Sequence, residues 1–340
     1  MRTEDFTFDL PPELIAQTPA EPRDSARLMV LRFRSQTIEH HAIRDLPSLL
    51  RRGDLLVVND TRVMAARLFG TRPDTGGGVE ALLVRPFTDT TWEVLFKPTR
   101  QARPGRRFVF DTHEGPIGAT VAWRADGPVV LEFERAFDPA TVGEMPLPPY
   151  IKGFSGDPER YQTVYAREPA SAAAPTAGLH FTEELFETLA AMGVSRSEVT
   201  LQVGPGTFRP VVAEDPRDHI LHQEHVSIAA GTAEVIHRAR GEGRRVVAVG
   251  TTVVRTLEHV ARERGGIEAY DGWTGLRILP GDEFRVVDVM LTNFHLPKST
   301  LLMLVCAFAG QEFVFSAYRE AISRGYRFFS FGDAMLLLPE

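Results

Sequence analysis

The sequence predicts an α/β protein, an α/β/α sandwich-like body on a largely parallel or mixed sheet with a small six-stranded β-barrel inserted into it. Three observations predict this. Beyond about residue 190, apolar strands alternate with helical segments, which implies a mostly parallel sheet covered on both faces. Between Ala66 and Phe137, short alternating segments are broken by Gly, Pro and Asp and show no helical period, the texture of a barrel that closes its own edges. With 340 residues, 43% of them hydrophobic, the chain can also form two domains. The boundaries read as 1–62 and 141–340 for the discontinuous α/β domain and 63–140 for the barrel.

The elements follow in order. Pro11-Pro12-Glu13-Leu14-Ile15-Ala16 opens a short helix, since proline is tolerated in a first turn. Leu28–Leu31 reads as a strand, Leu46–Leu50 as a short helix, and Asp54–Val58 as a strand ending in Asn59-Asp60-Thr61-Arg62. The barrel strands are Ala66–Gly70, Val79–Arg85, Trp92–Phe96, Arg107–Phe110, Gly118–Trp123 and Val129–Glu134, separated by turns such as Pro104-Gly105 and Asp126-Gly127-Pro128. Pro146-Leu147-Pro148-Pro149 is stiff and extended and returns the chain to the body.

Ala172–Thr182 reads as a shaped loop. Pro175 restricts Ala174, Gly178 is free to take φ > 0, and the two present Thr176 and His180; Thr182 then caps a helix that Gly193 ends. Further strands stop in small or polar residues: Glu198–Val203 at Gly204-Pro205-Gly206-Thr207-Phe208, Arg244–Val249 at Gly250-Thr251-Thr252, Val286–Leu291 at Thr292-Asn293-Phe294-His295, and Tyr326–Phe331 at Gly332-Asp333. In α/β sheets that end binds ligands, so these tips point to one site. Thr251 and Thr252 either cap the helix after Gly250 or join its amides in attracting a carboxylate, with Arg255 one turn in. Lys298 adds charge before a second helix start at Ser299.

Composition excludes several classes. The net charge of −7 argues against nonspecific coating of nucleic acid, and one cysteine rules out a disulfide framework and multi-cysteine metal sites and fits a reducing compartment. The apolar run Thr300–Gly310 is too short for a bilayer. A soluble, cytoplasmic, monomeric chain is expected. Between Lys97 and Arg107, five basic residues stand without an acid; Arg100, Arg103, Arg106 and Arg107 either contact RNA phosphate or form a solvated loop. His219, His222 and His225 have spacing that presents them on no common face, so no metal is expected. A metal-dependent nucleotide hydrolase rests on those histidines, and a noncatalytic RNA-binding adaptor rests on the barrel and its basic loop.

Taken together, Asn59-Asp60-Thr61-Arg62-Val63, Met145–Ile151, Tyr161–Tyr165, Ala174–Phe181, Val249–Thr252, Thr292–Pro297 and Tyr326–Met335 resemble the S-adenosylmethionine:tRNA ribosyltransferase-isomerase family of queuosine biosynthesis, end to end and in order. Gln202, Ser171 and Val253 stand where the family usually has His, Gly and Ser. The resemblance implies transfer of the ribosyl part of S-adenosylmethionine, a consumed co-substrate, onto 7-aminomethyl-7-deazaguanine at the wobble position of a tRNA. Adenine and methionine leave and epoxyqueuosine remains. Fitted to this chemistry, His180 and His295 are the candidates for proton transfer. Substrate contacts are expected from Asn59, Asp60, Arg62, Thr176, Gly178, Thr251, Thr252, Arg255, Asn293 and Lys298, with Arg255 as the carboxylate clamp. Phe181, Phe208 or Phe294 would stack a splayed base.

Overall fold

The computed structural model of the protein describes residues 1–124, 129–139, 141–152, 154–204 and 211–340, with Ala170 described by its backbone alone. The turn at Asp126-Gly127-Pro128 and the segment Pro205-Gly206-Thr207-Phe208 lie outside the described residues. Contacts divide the chain into two compact units, one of Met1–Thr61, Pro149–Glu168 and Ala174–Glu340, the other of Arg62–Pro148 and Pro169–Ala173.

The strands in chain order are β1 (Arg27–Arg32), β2 (Thr37–Ala42), β3 (Leu55–Asn59), β4 (Thr61–Val63), β5 (Arg67–Thr71), β6 (Gly78–Pro86), β7 (Thr91–Lys97), β8 (Arg107–Asp111), β9 (Ile117–Arg124), β10 (Val129–Phe133), β11 (Glu168–Ser171), β12 (Ser195–Leu201), β13 (Glu224–Ile228), β14 (Val246–Val249), β15 (Tyr270–Thr274), β16 (Val289–Asn293) and β17 (Ala334–Leu338). The helices are α1 (Leu46–Leu49), α2 (Glu183–Ala191), α3 (Ala230–Gly241), α4 (Thr251–Arg264), α5 (Thr300–Ala309) and α6 (Gln311–Ser323).

In the first unit nine strands form one mixed sheet in the order β15-β13-β12-β3-β14-β16-β17-β1-β2. The run β12-β3-β14-β16 is parallel, and β17 pairs antiparallel with β16 and parallel with β1. Alternation along the strands divides the core. Leu55 and Val57 of β3 join the layer of α3 to α6, while Leu56 and Val58 join the layer of α1 and α2, so both faces are sealed. Thr182 caps α2 as the sequence predicts, its hydroxyl accepting from the Leu185 amide at 3.1 Å.

Two expectations are corrected. Tyr326–Phe331 is not a strand but a turn into β17, packed through the buried Tyr326, Phe328 and Phe331, with Phe329 at φ +76°. Its apolar content serves an aromatic cluster rather than a pleat. Gly178 does not carry a positive φ; it is needed because a Cβ there would stand 2.0 Å from the Tyr165 hydroxyl and 2.8 Å from Thr163.

The second unit contains a closed barrel in the order β10-β7-β6-β5-β8-β9, all pairs antiparallel. Its strands fall within a residue or two of the predicted six, because Gly, Pro and Asp turns mark their ends. Leu68, Ala81, Val94, Phe108, Ala119 and Leu131 fill the interior. Among the described residues no single helix is long and apolar enough to cross a membrane.

One buried carboxylate fixes the approach to β16. Glu258 of α4, fully buried, accepts the amides of Arg285, Val286 and Val287 at 2.8, 2.9 and 3.1 Å. It ties α4 to the segment leading into β16, and both elements end at the site described next. Glu258→Ala strands three amide donors, those of Val286 and Val287 buried, and is expected to cost about 3–5 kcal/mol in urea unfolding; a loss under about 1 kcal/mol would show that water replaces the carboxylate.

Candidate functional site

Because β3, β14 and β16 run parallel and β17 runs against them, the carboxyl ends of the first three and the entry to the fourth share one edge of the sheet. Residues of the first unit line a recess there with about 740 Å³ of empty space, its open mouth included. One wall is Ala174–Ala177, a second is Gly250 to Thr252 at the start of α4, a third runs from Thr292 to Pro297 at the end of β16, and Phe329 and Ser330 close it.

Gly250, at φ +94°, turns β14 into α4 and supplies no side-chain cap. Neither threonine caps the helix; both are its first residues. The first-turn amides of a 14-residue helix therefore open toward the recess with the positive end of its dipole.

At the end of β16 the Asn293 amide is oriented by its neighbours. The Phe329 carbonyl only accepts, and it lies 3.0 Å from the side-chain nitrogen of Asn293, so that nitrogen is the donor. The second N–H meets His180 Nε2 at 3.3 Å, which must then accept, placing the His180 proton on Nδ1. Burial, with Arg327 and Arg23 nearby and against the pull of Asp333, lowers the His180 pKa to about 4, in keeping with a neutral ring. Asn293 Oδ1 is buried and has no protein partner among the described residues. His295 lines the recess, its Nε2 is 2.9 Å from the Thr292 hydroxyl, and burial lowers its pKa to about 3.

The structure brings together Thr176, Thr251, Thr252, Asn293 and His295 on the recess wall. The other proposed contacts lie elsewhere. His180 stands behind Asn293 and is not among the residues lining the recess. Asn59 has no hydrogen-bonding capacity left for a base: it donates to the Leu201 carbonyl at 3.1 Å and the Thr252 hydroxyl at 3.4 Å, and accepts from the amides of Leu201 and Thr61 at 3.0 and 3.3 Å. Asp60 is held by Thr200 at 2.7 Å and Arg167 at 3.0 Å. Arg255 is not among the residues lining the recess: it pairs with Glu224 in the interior and its Nε donates to the Leu276 carbonyl at 3.0 Å, while its other terminal nitrogen has no hydrogen-bond partner among the described residues. Gly178 is sealed under Tyr165, and Lys298 points to Glu4 at 2.7 Å. Arg62 belongs to the second unit. Phe181 stacks on Phe186 in the core and Phe294 is fully buried, so neither offers a free face.

On the barrel, Arg106 is paired with Asp74 at 2.9 Å and Arg107 with Glu134, whereas Arg100 and Arg103 are exposed. His225 is paired with Asp271 at 3.2 Å, and no group of three metal-ligating side chains occurs among the described residues. Sequence reasoning missed Phe329 and Ser330 in the wall and the buried partner Glu224. Only the small residues Gly332-Asp333 signalled a turn near the first two, and Glu224 lies 31 positions from Arg255 with no local signal.

Residues 3–337 match the family model described as queuosine biosynthesis protein. The chain is 55% identical to the S-adenosylmethionine:tRNA ribosyltransferase-isomerase of Symbiobacterium thermophilum over 99% of this chain and 100% of the relative, and 52% identical to the Carboxydothermus hydrogenoformans protein of the same name at the same coverage. Its fold is similar to the crystal structure of an S-adenosylmethionine tRNA ribosyltransferase from Thermotoga maritima, with a TM-score of 0.58 and 41% identity over 98% of this chain and 100% of that one.

The buried imidazoles set a pH dependence. The unfolded chain protonates both near pH 6.5, and the folded chain only near 4 for His180 and 3 for His295. Their contribution to stability is full above about pH 6.5 and falls as pH drops below it, because the unfolded state binds the extra protons. His180→Gln removes one of these sites. Urea unfolding from about pH 6 to about pH 4.5 is expected to lose roughly 1.4 kcal/mol less per pH unit in the variant; identical slopes would mean His180 titrates normally in the fold.

Proposed function

The chain belongs to the queuosine biosynthesis protein family, and from that premise we propose that it is an S-adenosylmethionine:tRNA ribosyltransferase-isomerase. It moves and isomerises the ribosyl part of S-adenosylmethionine onto 7-aminomethyl-7-deazaguanine at the wobble position of a tRNA, releasing adenine and methionine and leaving epoxyqueuosine. The observation that carries the reading is the recess itself, where an uncapped helix start, a neutral histidine and an unpartnered amide oxygen meet at one sheet edge.

The roles follow from what each group has free. The methionine carboxylate sits at the start of α4, on its amides and the hydroxyls of Thr251 and Thr252, which replaces the arginine clamp now that Glu224 holds Arg255. The sulfonium acidifies the neighbouring C5′ hydrogens. In the tautomer that donates Nε2–H to the Thr292 hydroxyl, the lone pair of His295 Nδ1 takes one of them and leaves an ylide. Opening of the ribose expels adenine. The imidazolium so formed is the acid at hand, and it passes the same proton to the departing adenine nitrogen. The aminomethyl nitrogen of the tRNA base then adds to the vinyl sulfonium this leaves and loses a proton; the carbanion so formed beside sulfur closes onto the aldehyde carbon, and the resulting alkoxide displaces methionine as a neutral thioether to form the epoxide. His180 acts through Asn293 as a positioning residue. In this reading the enzyme works in the cytoplasm as a monomer and without a metal.

Two measurements test it. His295→Ala is expected to lower adenine release from S-adenosylmethionine with modified tRNA by about 10²- to 10⁴-fold with the thermal transition unchanged; wild-type turnover would remove His295 from the mechanism. Reversing Arg100 and Arg103 together to Glu is expected to weaken tRNA binding and reduce its salt slope by about two, whereas Arg106→Glu acts less because Asp74 already neutralises it. Binding indifferent to the double reversal would make the loop a solvated one.

A further inference from the structure

Phe329 is a half-buried aromatic at the recess, and its backbone is unusual. Its φ of +76° is a conformation that glycine adopts freely and a phenylalanine rarely does. Both peptide ends are pinned. The Phe329 amide donates to the Phe294 carbonyl at 3.1 Å, and its carbonyl accepts from Asn293 at 3.0 Å and from the Gly332 amide at 3.0 Å. The ring is braced nearly perpendicular to Tyr150, with centroids 4.3 Å apart, and the Tyr150 hydroxyl is 2.5 Å from that of Ser330. A turn needing only its backbone shape would be served better by glycine. The ring is therefore what the strained position provides, and Phe329 lines the same recess as Asn293, whose Oδ1 has no hydrogen-bond partner among the described residues.

We infer that Phe329 is the stacking platform for a purine-type base, and that Asn293 Oδ1 accepts a hydrogen bond from that base's exocyclic amine. A planar heterocycle gains from an aromatic face whatever its edge carries, and a buried acceptor that no described protein group satisfies is satisfied when such an amine arrives. Asn293 links the two functions, since the amide group that holds the Phe329 carbonyl also turns its oxygen free. The inference rests on the proposed function. Both the adenine of S-adenosylmethionine and the 7-deazaguanine of the tRNA have this chemistry.

The test uses the full chain. Phe329→Gly takes the same backbone without strain and removes only the ring, so its thermal transition is expected to hold or rise. Its KM is expected to rise about tenfold or more for one substrate with kcat changed far less, and Phe329→Tyr is expected to restore it. A rise for S-adenosylmethionine identifies adenine as the stacked base, and a rise for the tRNA identifies the deazaguanine. Should Phe329→Gly lose its thermal transition, Phe329→Leu keeps the bulk without the π face and gives the same comparison. Unchanged KM for both substrates, in an enzyme whose wild type releases adenine, would overturn the platform alone. A wild-type chain that releases no adenine would overturn the proposed function and the platform with it.

Discussion

The site depends on a single side-chain amide. Asn293 ends β16, and its two N–H groups reach the Phe329 carbonyl and His180, so one residue joins three segments that are far apart in sequence. The Phe329 carbonyl can only accept, which fixes the orientation of the amide and obliges His180 Nε2 to accept the second N–H. The remaining oxygen therefore has one orientation, and among the described residues it has no hydrogen-bond partner where the recess lies. Rigid first contacts of this kind lower the cost of ordering a ligand, since the protein has already fixed the groups that meet it.

That amide works only because the sheet reverses between β16 and β17. In an all-parallel sheet the chain would enter its last strand at the far edge, and the turn carrying Phe329 and Ser330 would face away from the other strand tips. Antiparallel pairing places Asn293 opposite Ala334, which brings the start of β17 to the edge where β3, β14 and β16 end. Asp333 then anchors the turn from below. Its carboxylate accepts the amides of Arg27 and Arg327 at 3.0 and 2.8 Å, and it is buried.

Much of this was legible in the sequence, for local reasons. The barrel strands and the tips at Gly250 and Asn293 stand out because short apolar runs stop abruptly in Gly, Thr, Asn or Pro, and such punctuation needs no tertiary context. Other features were illegible because tertiary structure decides them. Asn59 looks like a base reader until Leu201 and Thr252 use up its donors and acceptors. Arg255 looks like a clamp until Glu224, a residue of β13, takes its charge. Tyr326–Phe331 reads as a strand by composition, and only the packed ring cluster and the positive φ of Phe329 make it a turn. Gly178 was singled out for a conformation and proves necessary for a close approach instead.

The recess thus offers a positive helix end, a neutral imidazole and a fixed acceptor, a set suited to a zwitterionic sulfonium nucleoside and to chemistry that moves one proton between carbon and nitrogen. Incubating the purified chain with S-adenosylmethionine labelled in its adenine, with and without tRNA carrying 7-aminomethyl-7-deazaguanine, tests that claim as a whole. The account requires free labelled adenine in equal amount to the tRNA modified, and none when the tRNA is withheld. Modified product without adenine release, or no reaction at all, would contradict it.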